Sequence, residues 1–257
     1  MKTTTCLRWD GFAWVRVWMV AFWLGASGLA VGVRGASFWW NSGFVNGGAI
    51  PDNSATGWQD VRSVSMPGAT SITDVDVLID IGGATIFDGW NGDIYAKLSH
   101  SSGFSILFNR VGRTTSRPNG YGQTGFGAST SGIRFRLDDA AGTDVHYYQT
   151  VSHSINGLGQ VTGTWQPDGR DVDPTVVNED SARSASVFLA AFNGLDPNGE
   201  WTLFVSDRGF ANSHKVNGWG LEIAAVPEPG VGAFVLGCGL LGFAWARHRS
   251  WRRLPLP

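Results

Sequence analysis

From residue 36 to 226, Asn-Gly occurs at residues 46, 91, 119, 156, 193, 198 and 217, Asp-Gly at 88 and 168, and Gly-Gly at 47 and 82. These dipeptides favour tight turns and left-handed backbone, so they cut the chain into short pieces and leave little room for helices. Between them the apolar residues alternate. Val75, Val77, Ile79 and Ile81 stand against Asp74, Asp76 and Asp80, and Ile133, Phe135 and Leu137 stand against Arg134 and Arg136. The same period of two runs through Ile94, Ala96 and Leu98, through Phe104, Ile106 and Phe108, through Trp201, Leu203 and Val205, and through Leu221 and Ile223. A period of two with one polar face describes half-buried antiparallel strands. At least six of them with no helical periodicity between predict an all-β antiparallel sandwich or jelly roll. Ala182 to Phe192 is ambiguous and reads as a helical turn leading into a strand. Residues 37–60 read as a lead-in or edge strand, residues 61–225 as the sandwich itself.

Both ends depart from this pattern. Lys2, Arg8 and Arg16 precede a long apolar stretch from Val17 to Val33, with Gly35 and Ala36 after it. That is the layout of a signal peptide over 1–36, with cleavage expected between Ala30 and Ser37; an uncleaved N-terminal anchor is the alternative, because the apolar stretch is long. At the other end, residues 226–257 hold Pro227-Glu228-Pro229, an uncharged run from Gly230 to Ala246, then Arg247, Arg249, Arg252 and Arg253. Seventeen residues is the short limit for a membrane-spanning helix. Arginines at one flank hold that flank on the cytoplasmic side. Taken together, the triplet, the apolar segment and the basic tail resemble the PEP-CTERM sorting signal of exported bacterial proteins. The resemblance implies processing by an exosortase, a passage through the inner membrane on the C-terminal helix, and delivery to the cell envelope or exopolysaccharide matrix.

Between the two ends the composition changes. Cys6 and Cys238 are the two cysteines, and both lie in the end segments, so the exported body has neither disulfide nor thiolate. From Ala36 to Val226 there are 11 Lys and Arg against 19 Asp and Glu, a balance of −8 that the whole-chain value of −2 conceals. No basic stripe with interleaved aromatics occurs, which argues against a nucleic-acid partner.

Five fragments of the body occur in a familiar order: "NGDIYAKLSHSSGFSILFNR" (Asn91–Arg110), "RFRLDDAA" (Arg134–Ala141), "GTWQPDG" (Gly163–Gly169), "LAAFNGLDPNGEWTLFVSDRG" (Leu189–Gly209) and "NGWGLEI" (Asn217–Ile223). They resemble the P domain, or Homo B domain, that follows the catalytic domain of subtilisin-like proprotein convertases and many secreted bacterial proteases. The resemblance implies a jelly-roll-like, galactose-binding-like β-sandwich, and gives Asp93, Trp201, Asp207, Gly218 and Trp219 structural roles. It departs from the family at Phe87 to Trp90, where eukaryotic convertases often carry a histidine. A subtilisin-like catalytic domain takes roughly 200 further residues. The expected role is therefore non-catalytic binding or display, with a separate serine-type endopeptidase as the alternative partner of an accessory domain.

The residues themselves point the same way. No Gly-x-Ser-x-Gly elbow occurs, and "GASTSG" from Gly127 to Gly132 has serine where the second glycine belongs. The four histidines of the body, His100, His146, His153 and His214, provide residue types for a triad but no motif. Asp138-Asp139 and Asp171-x-Asp173 are the carboxylate pairs available for glycoside hydrolysis or for a cation, and calcium, which accepts oxygen ligands from flexible loops, is the one ion they suggest. Asp93 and Asp207 sit beside glycines at strand ends, where a carboxylate accepts backbone N–H bonds and holds a turn. Trp201 and Trp219 read as core. Trp39, Trp40, Trp58 and Trp90 fall in expected loops, where exposed rings would stack on sugars or meet a partner.

Overall fold

The structure is a computed structural model, and it describes residues 36–39, 46–83, 89–122, 132–157 and 160–227. It divides into a unit from Met1 to Arg34, outside the described residues, and a unit from Gly35 onward that holds every element below.

The alternating stretch around Val75 becomes β4 (Ala69–Gly83), whose Val75, Val77, Ile79 and Ile81 are buried. β4 pairs antiparallel along almost its whole length with β11 (His214–Pro227), which turns Trp219, Leu221, Ile223 and Ala225 to the same side. Around this pair the first sheet grows to the order β1-β11-β4-β7-β9-β8, with β1 at Ala36–Trp39, β7 at Gly132–Leu137, β8 at Ser154–Ile155 and β9 at Val161–Trp165. β2 (Gly48–Ile50) joins the free edge of β11 beyond β1. The second sheet has the order β3-β10-β5-β6, from Trp58–Val64, Gly199–Asp207, Ile94–His100 and Gly103–Asn109. The facing sides supply one core, with Phe135, Leu137 and Trp219 from the first sheet meeting Leu98, Phe108, Trp201 and Leu203 from the second.

Among the described residues the all-β expectation therefore holds, as two sheets of eleven strands with helix confined to short 3₁₀ turns. Several finer expectations are corrected. The first sheet is mixed, because β7 and β9 run parallel. The alternation through Phe104, Ile106 and Phe108 is broken by a bulge opposite Ala96 and Lys97, so Phe104 and Ile106 lie on the opposite face from Phe108. Ile106 is nonetheless buried, because the segment 168–169 runs along the edge of β6 and donates to the carbonyls of Leu107 and Ile106. Ala182 to Phe192 leads into no strand. It forms two 3₁₀ turns, Ala185–Val187 and Leu189–Phe192. Asn217-Gly218 is a bulge inside β11 rather than a turn, and Asn217 Nδ2 donates to Asp80 Oδ1 at 2.8 Å.

An asparagine completes the edge of β11. β1 opposes residues 222–225 and β2 opposes residues 214–216, which leaves Trp219 facing neither. The side chain of Asn46 fills the gap as a piece of strand would: its Oδ1 accepts from Trp219 N at 3.1 Å and its Nδ2 donates to Trp219 O at 3.0 Å. Trp219 in turn bridges the two sheets, donating Nε1–H to Asp60 Oδ2 of β3 at 2.8 Å.

Register also assigns the loops to two poles. At one, Ala36 lies opposite Ala225 and Ala69 opposite Pro227. At the other, His214 lies opposite Gly83 and Gly82 opposite Gly132. With about 3.3 Å of rise per residue, β11 separates the poles by about 40 Å. Among the described residues no helix is long and apolar enough to cross a membrane, and the apolar segment expected to do so, Gly230 to Ala246, lies outside them.

Trp201 is fully buried between Phe192 and His100. Trp201→Ala should lower unfolding stability by roughly 3–5 kcal/mol in urea titration, whereas exposed Val176→Ala should stay within about 0.5 kcal/mol of wild type.

Candidate functional site

The polar groups that could do chemistry gather in two buried nodes. The first closes the corner where β10 leaves the second sheet for β11. Asp207, the last residue of β10, accepts from Gly209 N at 3.0 Å through Oδ1 and binds His214 Nδ1 at 2.6 Å through Oδ2. The other ring nitrogen of His214 faces the carbonyl of Trp90 at 3.0 Å. Asp93 lies alongside, bound by Arg110 Nη2 at 3.2 Å, while Arg110 Nε donates to Gly92 O at 2.9 Å. Gly209 is needed at this corner because a Cβ on it would come within 2.1 Å of the Asp93 carboxyl carbon. Burial, reinforced by the neighbouring Asp207 charge, pushes the Asp93 carboxyl up to about 6 against the opposing pull of Arg110.

The second node holds the long excursion between β7 and β10 against β6. Asp168, wholly buried, binds His146 Nδ1 at 2.7 Å and accepts from Asn109 N at 3.2 Å and from Arg170 Nη1 at 3.0 Å. Arg170 continues to Asp144 at 2.9 Å. Burial alone would raise the Asp168 carboxyl, but the hydrogen bond and charge of His146, with Arg170, hold it below the usual carboxylate range.

Each node contains the carboxylate and imidazole of a hydrolytic triad. Where the nucleophile's hydroxyl would stand, His146 Nε2 instead faces Arg113 O at 3.2 Å and His214 Nε2 faces Trp90 O. His100 has the same arrangement with two carbonyls, Glu200 O at 2.9 Å and Asp196 O at 2.6 Å, and stacks on Trp201 with ring centroids 4.1 Å apart. Both ring nitrogens of these three histidines are thus engaged within the fold, and among the described residues no serine hydroxyl is bonded to them. His153 Nδ1 faces its neighbour's carbonyl, Val151 O, at 2.9 Å.

The carboxylates suggested for calcium do not converge. Asp138 Oδ1 accepts from Ala140 N at 2.7 Å, and Asp173 Oδ1 accepts from both Thr175 N at 2.7 Å and its hydroxyl at 2.6 Å. Asp139 caps the turn at Leu189 with both oxygens, accepting Leu189 N at 3.1 Å and Ala190 N at 2.6 Å. Asp171 is exposed. These are turn and cap roles, with lone pairs committed to backbone N–H groups. Among the described residues no cluster of three or more His, Cys, Asp and Glu is arranged to hold a metal ion.

The tryptophans are redistributed as well. Trp58 opens β3 and packs against the core, and Trp90 is half-buried with Nε1 donating to Asn119 O at 2.9 Å, so neither is an exposed platform. Trp39 belongs to β1, and Trp40 lies outside the described residues. Of the sorting motif, Pro227 ends β11; Glu228, Pro229, Arg247, Arg249, Arg252 and Arg253 lie outside the described residues. Sequence reading missed both Asp–His pairs. Their partners stand 22 and 7 residues apart, and no periodic pattern links them.

No protein-family model matches the chain. No curated protein matches it. Among solved structures it is similar to the serine protease of Aeromonas sobria, at 15% identity and a TM-score of 0.34 over 80% of this chain and 29% of that one. It is also similar to the Aeromonas sobria serine protease in complex with its chaperone, at 13% identity and 0.34 over 81% and 30%. The chain thus spans less than a third of the length of either.

The raised Asp93 carboxyl has a defined sign. The folded state holds its proton up to about 6, while the unfolded chain releases it near 3.8, so this group's contribution to stability falls as pH rises between those values. Asp93→Asn removes that contribution. The stability of the variant minus that of wild type should rise by on the order of 2–3 kcal/mol from pH 4 to pH 6 and stay level above, as read by urea titration at stepped pH.

Proposed function

We propose that the chain is an exported, non-catalytic β-sandwich of the jelly-roll-like P-domain type, sorted by its C-terminal signal to the cell envelope or exopolysaccharide matrix, where it acts by display and binding. The observation that carries this reading is the shared pole of Ala36 and Pro227, the two ends of the described sandwich. β1 enters the fold opposite the last residues of β11, so the signal segment before Ala36 and the sorting signal after Val226 join the sandwich at one pole. A tether there leaves the opposite pole about 40 Å away and free. The Pro-Glu-Pro triplet begins where the sheet stops, and proline, lacking an N–H to donate, suits a strand's end. A protease cutting near the triplet would meet the chain just outside the folded body. The committed ring nitrogens of His100, His146 and His214 support the non-catalytic half of the reading.

A second reading is an accessory domain for a separate subtilisin-like endopeptidase. It is favoured by the position of the most family-like fragments, Gly199–Asp207 and Asn217–Ile223, which form the central strands β10 and β11. Stabilisation of such an enzyme by the added chain would support it.

Replacing Pro227, Glu228 and Pro229 by alanine tests the first reading. Wild type should be recovered from envelope or medium with an intact mass lacking both end segments, and the replacement should stay in the inner membrane. An unprocessed wild type in that membrane would make the tail a permanent anchor and end the sorting proposal.

A further inference from the structure

The outer face of the second sheet has a use of its own. Register lines up one cross-strand row there: Phe104 of β6 opposite Ser99 of β5, Ser99 opposite Thr202 of β10, and Thr202 opposite Val61 of β3. The neighbouring row, Ile106, Lys97, Phe204 and Gln59, is bulky, while on the other side Glu200 lies opposite Ser63. Where β5 ends and β10 begins, these side chains leave a depression of about 440 Å³, lined by Ser99, His100, Ser101, Asn198, Gly199, Glu200 and Thr202. Gly199, at φ +115°, widens it: a Cβ there would meet nothing nearer than 3.8 Å.

The chemistry of this trough selects its ligand. β5 and β10 are interior strands paired on both sides, so the floor has no ladder of free backbone groups and cannot take an extended peptide by strand addition, which needs an edge. It presents instead the hydroxyls of Ser99, Ser101 and Thr202 and the carboxylate of Glu200. Among the described residues none of these four side chains makes a hydrogen bond or ion pair, and all are at least partly exposed. Half-buried Phe104 and exposed Val61 close the row with apolar surface at its two ends. Hydroxyls and a carboxylate between apolar walls suit a molecule rich in hydroxyls on one edge and in C–H on its faces. Four strands give the row about 14 Å of length, and the depression within it, bounded by residues 99–101, 198–200 and 202 with Phe104 and Val61 outside it, has a volume in the range of small-ligand sites. The −8 balance of the body disfavours a polyanion.

We propose that this trough binds a neutral linear polysaccharide laid across the strands, hydroxyls toward Ser99, Thr202 and Glu200 and sugar faces against Phe104 and Val61. The proposal rests on the display reading for the source of the glycan, but not for the binding itself.

Native affinity electrophoresis of the full chain in mild detergent, through gels containing dextran, hydroxyethyl cellulose, galactomannan or alginate, tests it. At least one neutral polysaccharide should retard the wild type more than alginate does. Ser99→Leu and Thr202→Leu should each weaken that retardation at least tenfold, and Val176→Ala should leave it unchanged. Circular dichroism melting of each variant separates loss of the site from loss of the fold, and Glu200→Gln, at an exposed position, gives a milder variant expected to weaken retention severalfold. No retardation by any neutral polysaccharide, stronger retardation by alginate, or retention unchanged in folded Ser99→Leu and Thr202→Leu would overturn the proposal. Retention by a chain that is never processed would leave the trough standing and remove the sorted display.

Discussion

β4 and β11 run beside each other for 15 and 14 residues, and most of the molecule is attached to that pair. Their inward side chains supply one wall of the core. β7 extends the sheet from β4, β1 and β2 share the far edge of β11, and Trp219 reaches from β11 across to Asp60 in the second sheet. The bulge at Gly218 and the side chain of Asn46 keep this long edge satisfied where regular pairing stops. Buried backbone donors and acceptors need partners, and an asparagine amide offers both in one group.

The buried charges do a different task from the core. A carboxylate, imidazole and guanidinium removed from water recover little net stability, because desolvation offsets much of their attraction. Their arrangement here explains their presence better as positioning. Asp168 with His146 and Arg170 binds a long irregular excursion to the edge of β6, where few apolar contacts are available to do so. Asp207 with His214 fixes the corner at which the chain passes between sheets. On the outer face of the first sheet Arg136 joins Asp76 of β4 and Glu222 of β11, an ion-pair row across three strands. Such networks spend their polar atoms on structure, and the ring nitrogens of His146 and His214 accordingly face a carboxylate and a carbonyl of the fold.

How much was legible in the sequence follows from which faces are wet. β4, β5, β7 and β10 have a polar outer face, so a period of two marked their inward residues correctly, Val77 and Leu203 among them. β6 did not read cleanly, since a bulge shifts its parity and a covering segment buries Ile106 on the outside. Asn217-Gly218 carries the composition of a turn but sits within a strand, because a bulge and a turn ask the same backbone freedom of glycine. Trp58 follows a glycine and looked like a loop residue, although its ring packs on the core. The polar nodes were invisible for another reason: His214 and Trp90 meet across 124 residues, and contacts of that range leave no trace in local pattern. The trough on the second sheet depends on the register of four strands, which no single segment encodes.

Ala36 and Pro227 lie at one pole because of the register between β1 and β11, and the tethering of the sandwich follows from it. Trp39 lies directly opposite Glu222, and the body has no cysteine of its own. Residues opposed in an antiparallel pair stand close enough to be joined by a disulfide. The decisive measurement is the thiol content and intact mass, taken without reductant, of the Trp39→Cys, Glu222→Cys protein with Cys6 and Cys238 replaced by Ser. An intramolecular disulfide between residues 39 and 222 is predicted, at a mass lower by two hydrogens than the reduced form. Two free thiols in a folded protein would contradict the register that sets Ala36 opposite Ala225.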